Sequence, residues 1–199
     1  MSDFTVIDST RLSYRLMTLN DADLLFEVDQ DSEVMKFISD GVKSTMKDIK
    51  ETMIPRLAAY RNAQKGWGIW QVNIRETNKY IGWILVRPMD YFSPIFETNN
   101  PLRDNIELGW RFMTKAWGKG YATEAAGHIM QSMTQAYNNE QDTQPAIKSY
   151  CAIADPDNTA SINIMRKLRM KYVKTYTHQD TLGDWYVVYY ENCDLFCTQ

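Results

Sequence analysis

Residues 105–137 constrain the fold most, because the spacing of their apolar side chains changes part-way along the stretch. In the first part every second side chain is apolar, which is the period of a β-strand: Ile106, Leu108, Trp110 and Phe112. In the last part apolar side chains recur every three or four positions, as on one face of an amphipathic helix: Ala122, Ala125, Ala126, Ile129, Met130, Met133 and Tyr137. Residues 115–122 lie between the two patterns and contain two glycines. The sequence therefore predicts a strand, a glycine-containing loop and a helix in direct succession.

Such a joint has the properties of an anion site. The first backbone N–H groups of a helix have no intrahelical partner, and the helix dipole makes that end electropositive. Glycines before the helix let the backbone come close to a ligand, most often a phosphate. Lys115 and Lys119 add positive charge. An ordinary strand–helix connection with surface lysines explains the local pattern equally well, so both interpretations stay open at this point.

Composition limits the class of protein. With 199 residues and 44% hydrophobic residues, we expect one globular domain over residues 1–199. A net charge of −3 gives no electrostatic reason to expect nucleic acid as a partner. No apolar run approaches a membrane span, and the first residues lack the pattern of a signal peptide. We therefore expect no membrane partner and a cytoplasmic protein.

Cysteine and histidine are too few for a metal centre or a disulfide scaffold. The chain has three cysteines, Cys151, Cys193 and Cys197, and two histidines, His128 and His178. Cys151 lies in an apolar run and is expected in the core. We expect His128 to pack beside the helical stripe, His178 to lie in a terminal turn, and no metal to be bound.

The remaining patterns give the element order β-α-α-β-β-β-α-β-α-β-β. This order indicates an α/β protein with a mixed sheet, in which the strand before the glycine loop crosses over through its helix to the strand beginning at Ile147. Pro55 interrupts the helical pattern of residues 44–64, so we expect a kink or two shorter helices there. Residues 87–104 are long for a connection, and either a binding loop or a plain surface excursion fits them.

With these motifs in this order, the chain resembles the GNAT N-acetyltransferases, and within them the branch typified by the RimJ and RimL ribosomal-protein acetyltransferases. The opening TRLSYR of residues 10–15 is similar to the start of that branch. The strongest similarity lies in IELGW of residues 106–110 and AWGKGYATEA of residues 116–125. NTAS of residues 158–161, followed by KL of residues 167–168, matches the later Asn-x-x-Ser helix.

The resemblance covers roughly residues 9–190 and implies a fold and an activity. The implied fold is α/β, with a mixed, mainly antiparallel sheet of six to seven strands flanked by about four helices. The implied reaction moves the acetyl group of acetyl-CoA directly to a primary amine in a ternary complex, without a metal. The implied acceptor is a protein N-terminus, a polyamine or an amine-bearing antibiotic, and homodimers are common in that branch.

The resemblance also implies which residues hold acetyl-CoA. The family's loop corresponds to residues 115–120, with Lys115 where Gln or Arg is usual; a lysine still meets a phosphate as a point charge. The preceding strand end would offer backbone groups to the pantetheine arm and the acetyl carbonyl, and Asn158 and Ser161 would line that arm. The complete expected set is Phe112, Met113, Thr114, Lys115, Trp117, Gly118, Lys119, Gly120, Tyr121, Ala122, Asn158 and Ser161.

The sequence departs from the family pattern at two positions. One concerns the proton donor to the leaving thiolate, and the other concerns the end of a helix. Met165 stands where many members carry the tyrosine that protonates the leaving thiolate. Ser161 is a weak candidate in its place, and water is another, since a thiolate with a pKa of roughly 8.5 is a tolerable leaving group. Arg169 stands where a glycine is usual, which suggests a different helix ending.

Glu107 is the candidate general base. It lies on the strand before the glycine loop, on the face opposite Ile106 and Leu108. A carboxylate there could take the proton of the amine through water. Alternatively, Glu107 binds the incoming cation or pairs with Arg111. Glu124, in the helix after the loop, is expected to be structural.

Parts of the sequence also fit two other classes of protein. A dinucleotide-binding oxidoreductase needs a third glycine, but Thr123 occupies that position, and Gln144 and Pro145 lie where its acidic residue should be. That class is excluded. A non-catalytic CoA-binding or regulatory module of the same fold stays open, because Met165 cannot donate a proton.

Overall fold

The computed structural model describes residues 2–89, 91–92, 105–139 and 147–192. Seven strands form one sheet in the order β1-β2-β3-β4-β5-β7-β6. The strands are β1 Leu12–Leu16, β2 Gly68–Ile74, β3 Lys79–Pro88, β4 Asn105–Phe112, β5 Ser149–Ala154, β6 Lys171–Asp180 and β7 Gly183–Asn192. The helices are α1 Ala22–Val28, α2 Ser32–Ser39, α3 Met46–Asp48, α4 Ile54–Tyr60, α5 Tyr121–Asn139 and α6 Thr159–Lys167.

The sheet is mixed, as the order of elements predicts. β1–β2, β2–β3, β5–β7 and β6–β7 pair antiparallel, whereas β4 and β5 pair in parallel. The parallel pair is the one whose strands are joined through α5, because parallel neighbours need a crossover connection. The α/β class and the mainly antiparallel, seven-stranded sheet are thus confirmed.

The chain divides into two compact units. Unit 1 comprises Met1–Val86 and Trp110–Ala125, and unit 2 comprises Arg87–Gly109 and Ala126–Gln199. The fully buried side chains of unit 1 include Leu12, Met17, Leu25, Ile49, Trp70 and Ile84. Those of unit 2 include Leu108, Ile129, Met133, Tyr150, Met165 and Tyr189. The apolar stripe predicted on α5 is confirmed by the burial of Ala125, Ala126, Ile129, Met130 and Met133.

The helical region before β2 differs from the pattern prediction in its detail. A π-helical segment, Ile49–Met53, connects α3 to α4 without interrupting helical backbone angles. Pro55 lies in the first turn of α4. Proline has no N–H and its ring crowds the carbonyl four residues back, and a π-segment relieves both problems. The irregularity expected at Pro55 is therefore a widened turn on its amino-terminal side.

Two elements differ from the sequence prediction: α2 was not predicted, and the β6–β7 hairpin is longer than predicted. Asp31 is the N-cap of α2, and its carboxylate accepts from the N–H of Glu33. Asp40, in the left-handed conformation, is the C-cap. The prediction that His178 lies in a terminal turn is wrong. His178 lies within β6 and is buried, because β6 and β7 pair as far as Asp180 and Gly183.

No helix in the ranges that the structure describes has the length and apolar character needed to cross a bilayer.

Candidate functional site

The predicted glycine loop is confirmed as the link between β4 and α5. A short 3₁₀ turn, Thr114–Ala116, follows β4, and α5 begins at Tyr121. Gly118 and Gly120 have φ angles of 72° and 79°. These lie in the left-handed region, where a side chain would strain the backbone. The path of the chain therefore favours glycine at both positions.

The start of α5 presents backbone N–H groups that lie before the first helical hydrogen bond. The first bond of the helix runs from the N–H of Glu124 to the carbonyl of Gly120, at 3.0 Å. The N–H groups of Tyr121, Ala122 and Thr123 therefore precede the intrahelical ladder. Gly120 has no side chain with which to cap them. Such N–H groups, together with the helix dipole, can bind an anion, and the anion site at this position stays a prediction.

Arg11 and Glu124 fix the loop from outside. The Nε of Arg11 donates to Oε2 of Glu124 at 2.7 Å, and its Nη1 donates to the carbonyl of Lys119 at 3.0 Å. The guanidinium also lies 4.6 Å from the centroid of the Tyr121 ring. Ser9 completes the arrangement by donating to Oε1 of Glu124 at 2.8 Å. Unit 1 thus places a positive charge beside the glycine loop.

Glu124 is a structural anion in this arrangement. Burial raises its pKa, but the hydrogen bonds from Ser9 and Arg11 outweigh burial and hold the pKa below its ordinary value. The expectation that Glu124 is structural agrees with these contacts. In the sequence Arg11 is only part of the opening TRLSYR motif, which does not indicate a contact with the loop. The one available signal is an arginine just before β1 and a glutamate in α5, 113 positions apart.

The lysines of the loop differ in their surroundings. Nζ of Lys119 donates to the carbonyl of Lys115 at 2.9 Å, so its charge lies over the loop itself. Both lysines are exposed. Trp117 is half exposed, and its Nε1 donates to the carbonyl of Phe112 at 2.7 Å, which ties the loop to the end of β4.

The end of β4 uses several of its polar groups internally. The N–H of Met113 donates to the carbonyl of Ile81, and the carbonyls of Met113 and Thr114 accept from the 3₁₀ turn. The hydroxyl of Thr114 donates to Oδ2 of Asp31 at 2.7 Å. A carbonyl oxygen can accept a second hydrogen bond. The expected contact with the pantetheine arm therefore depends mainly on the carbonyl oxygens of Met113 and Thr114.

Glu107 is buried in unit 2 and paired. Its Oε2 lies 2.6 Å from Nε of Arg87, and the two side chains are 7% and 12% exposed. The alternative pairing with Arg111 is wrong. Arg111 instead pairs with Asp29, a buried carboxylate that also accepts from Ser44. Arg87 is a second residue, after Arg11, whose role the sequence did not reveal, and it belongs to the candidate site.

Glu107 also marks the point where two strands part. β4 and β5 pair through three residues each, ending with Glu107 opposite Cys151. Beyond that pair β5 continues alongside β7, from Ala152 opposite Tyr190. A parallel ladder that stops in this way leaves strand backbone available to a ligand at the point of separation.

Asn158 and Ser161 begin α6. The side-chain oxygen of Asn158 accepts from the N–H of Ser161 at 3.1 Å, so Asn158 is the N-cap of the helix. Met165 is fully buried. The position of the usual tyrosine thus faces the interior of unit 2.

The expected different ending of α6 is wrong. Arg169 takes the left-handed conformation, with φ 62°, that a glycine would favour. Its N–H bonds to the carbonyl of Arg166, and that of Met170 bonds to the carbonyl of Met165. This is the backbone pattern of a helix that ends at a left-handed residue.

The expected site residues divide between the units. Unit 1 brings together Phe112, Met113, Thr114, Lys115, Trp117, Gly118, Lys119, Gly120, Tyr121 and Ala122. Glu107, Asn158 and Ser161 belong to unit 2. In the part of the chain that the structure describes, no group of three His, Cys, Asp or Glu side chains could hold a metal ion. Cys193 and Cys197 lie outside the described residues, as do Asp90, Glu97 and Asp104, the acidic residues of the long connection.

A family model described as an acetyltransferase (GNAT) domain matches residues 11–171. The chain belongs to the GNAT acetyltransferases. Among its relatives, the N-acetyltransferase YnaD of Bacillus subtilis is 29% identical over 167 residues, covering 83% of this chain and 82% of YnaD.

Two solved GNAT structures share the fold at low identity. The aminoglycoside acetyltransferase AAC(6')-Ib, in complex with coenzyme A and kanamycin, has a TM-score of 0.68 at 17% identity, with 93% of this chain and 96% of that one covered. RimL, a ribosomal-protein alpha-N acetyltransferase in complex with coenzyme A, has a TM-score of 0.64 at 12% identity, with 96% and 98% covered. Similarity to proteins with such different acceptors shows the fold and does not assign the chain to the RimJ/RimL branch.

Proposed function

We propose that this GNAT protein transfers the acetyl group of acetyl-CoA to a primary amine by direct attack in a ternary complex. The observation that carries the proposal is the glycine loop. Gly118 and Gly120 adopt the left-handed backbone conformation, and the N–H groups of residues 121–123 precede the first helical bond of α5, which runs from Glu124 to Gly120. This arrangement suits the pyrophosphate of CoA.

In this function, three parts of the chain hold acetyl-CoA. The loop N–H groups and the charges of Lys115 and Lys119 hold the pyrophosphate. Asn158 and Ser161 line the pantetheine arm from the start of α6. Backbone carbonyls and N–H groups at the end of β4 orient the thioester. Holding the two substrates together is itself a large part of the catalysis of a two-substrate reaction.

The chemistry requires two proton transfers. The amine nitrogen attacks the thioester carbonyl carbon, the carbon–sulfur bond breaks, and the nitrogen loses a proton. We assign that proton to Glu107, reached through water, with Arg87 holding the carboxylate in place. The leaving thiolate takes a proton from water or, as the weaker candidate, from Ser161. No covalent enzyme intermediate is needed.

We propose that residues 1–199 act as one catalytic domain in the cytoplasm, that the chain resembles the RimJ/RimL branch in its opening and glycine-loop motifs, and that it forms a homodimer. The acceptor is a protein N-terminus or a small amine. RimL and AAC(6')-Ib, whose names specify a ribosomal protein and aminoglycosides, represent these two classes.

Replacing Gly120 by valine tests the role of the loop. We expect Gly120→Val to weaken CoA binding by about tenfold or more, because a β-branched residue strains the left-handed backbone by roughly 1–3 kcal/mol. Isothermal titration with CoA gives the affinity. Gly41→Val is the matched control, since Gly41 has φ 80° and lies in the turn after α2. Equal CoA affinity in the Gly120 variant and the wild type would refute the role of the loop.

A non-catalytic CoA-binding module is the second candidate, and the buried Met165 is the observation that favours it. An acetylation assay over a panel of primary amines separates the two functions. Turnover on any amine supports the transferase. CoA binding without turnover on every amine supports the module, and absence of CoA binding excludes both.

A further inference from the structure

A lysine of β6 rests in a corner made by two tyrosine rings of unit 2. Nζ of Lys174 lies 4.3 Å from the centroid of the Tyr176 ring and 5.9 Å from that of the Tyr189 ring. The two ring centroids are 6.4 Å apart and the planes meet at 74°. An ammonium within about 6 Å of a ring face is attracted by the π-electrons. Two nearly perpendicular rings therefore form the walls of a cation site, which we call the tyrosine corner.

The walls of the tyrosine corner are fixed by hydrogen bonds. The hydroxyl of Tyr189 donates to Oε2 of Glu191 at 3.2 Å and accepts from Nδ2 of Asn105 at 3.1 Å. The hydroxyl of Tyr176 is 3.2 Å from Nδ1 of the buried His178. Tyr189 is only 1% exposed and packs against Cys151. Rings held in this way are already in position for a ligand, which lowers the entropy lost on binding.

The strand register places the tyrosine corner on the same face of the sheet as Glu107. Glu107 is opposite Cys151, and Cys151 is opposite Glu191. Tyr189 is two positions from Glu191 on β7 and is opposite Lys174 on β6. Directly paired residues, and residues two apart on a strand, point to one face. The proposed base and the tyrosine corner thus belong to one polar face within unit 2.

Lys174 itself can leave the tyrosine corner. Its side chain is exposed, and Tyr176 is half-buried, so the ammonium reaches the rings from the solvent side. A lysine side chain is a flexible four-carbon chain that ends in a point charge, so its contact with the rings does not fix one geometry. An external ammonium group could therefore take its place without a change in the backbone.

We propose that the tyrosine corner binds a positively charged nitrogen of the acceptor, and that Lys174 occupies it until the acceptor arrives. The inference rests on the proposed transferase function and deepens it. One nitrogen of the acceptor is held as an ammonium between Tyr176 and Tyr189, while a second, uncharged amine reacts near Glu107. The preferred acceptor is therefore a primary amine that carries a further cationic nitrogen, and an uncharged alkyl chain is a poorer one.

Kinetics of Lys174→Met with two amines test the proposal. Methionine keeps the length of the side chain and removes the competing ammonium. We expect the KM for spermidine to fall about three- to tenfold, the size of one cation–π contact, and the KM for butylamine to stay as in the wild type. Lys65→Met is the matched control, because Lys65 lies 4.6 Å over the Trp67 ring in unit 1. An unchanged or higher KM for spermidine, or an equal fall for both amines, would overturn the proposal.

A binding measurement keeps the test independent of turnover. Tetramethylammonium, followed by NMR shifts of the tyrosine rings, should bind Lys174→Met about three- to tenfold more tightly than the wild type. Adding Tyr176→Leu should abolish that gain, whereas adding Tyr176→Phe should keep it because the ring remains. Thermal melts confirm that each variant is folded. Equal tetramethylammonium affinity of the wild type and Lys174→Met would contradict the proposed cation site. A wild-type protein that does not bind CoA would contradict only the proposed function.

Discussion

Arg169 holds a backbone conformation that an arginine adopts at a cost. Its φ of 62° lies in the left-handed region. There the Cβ comes too close to the following carbonyl oxygen, which costs roughly 1–2 kcal/mol. The structure keeps it there because the N–H groups of Arg169 and Met170 close the last turn of α6. A helix can therefore end as if at a glycine even where the sequence has none.

Arg169→Gly should stabilise the protein. We expect a gain of about 1 kcal/mol in the free energy of unfolding, because glycine removes the left-handed strain and keeps both backbone bonds. Urea denaturation measures the gain. Lys167→Gly, two positions earlier and inside α6, should instead cost about 1 kcal/mol, the usual penalty for glycine in a helix. A loss of stability in Arg169→Gly would show that the left-handed conformation carries no strain.

The ion pair of Glu107 and Arg87 allows a sharp test of the proposed base. We expect Glu107→Gln to lower kcat by about 10²–10⁴-fold, the usual contribution of general base catalysis. That single variant also removes the buried carboxylate that faces the Arg87 guanidinium, which lowers stability.

The double variant Glu107→Gln with Arg87→Gln separates the two effects. It should recover stability in a thermal melt, because both charges of the buried ion pair are removed together, while kcat stays low. Recovery of kcat together with stability would identify Glu107 as a structural residue only.

At the level of elements, the turn between β1 and α1 depends on one carboxylate. Asp21 is the N-cap residue of α1, yet its carboxylate bonds to Arg15 and Thr18 and does not cap the helix. The hydrogen bond from Arg15 is the main cause that lowers the pKa of Asp21 to about 2 from 3.8. A carboxyl whose pKa is lower in the folded protein stabilises it above the unfolded pKa, and that stabilisation is lost as pH falls through the folded pKa.

Asp21→Asn should therefore lower Tm at pH 5–7, and the difference from the wild type should shrink between about pH 4 and pH 2. Calorimetry across that range measures it. Asp23→Asn, an exposed position in the first turn of α1, is the control for the loss of one charge. A difference from the wild type that persisted unchanged at pH 2 would mean that the hydrogen-bonded Asp21 carboxylate is not the cause.

Elements whose residues interact locally were predictable, and paired side chains far apart were not. β4, the glycine loop and α5 follow from a change of apolar period within 33 residues, and the N-cap role of Asn158 is a local contact. The Glu107–Arg87 and Arg111–Asp29 pairs depend on strand register and on which helix covers the sheet. Neither is fixed by local spacing, so the sequence suggested a Glu107–Arg111 pair that the structure does not contain. α2 was missed because its signal, Asp31 before a short apolar pattern, is only eight residues long.

At the scale of the whole molecule, one fold serves acceptors of different kinds. The structures that share it include a ribosomal-protein acetyltransferase and an aminoglycoside acetyltransferase, both at low identity. Acceptor choice must therefore reside in side chains and not in topology. On the β6–β7 hairpin of this chain, the exposed large apolar and aromatic side chains are Tyr172, Val173, Leu182, Trp185 and Tyr186.

The contact between Arg11 and Glu124 has a consequence for the order of folding. It closes a loop of 113 residues in a chain of 199. Contacts between distant residues form late, because the chain entropy of loop closure must first be overcome. A growing chain reaches Glu124 long after β1 has been made, so the glycine loop cannot be held by Arg11 until then. We therefore expect CoA affinity to appear late in refolding and to report whether the amino-terminal strand has docked.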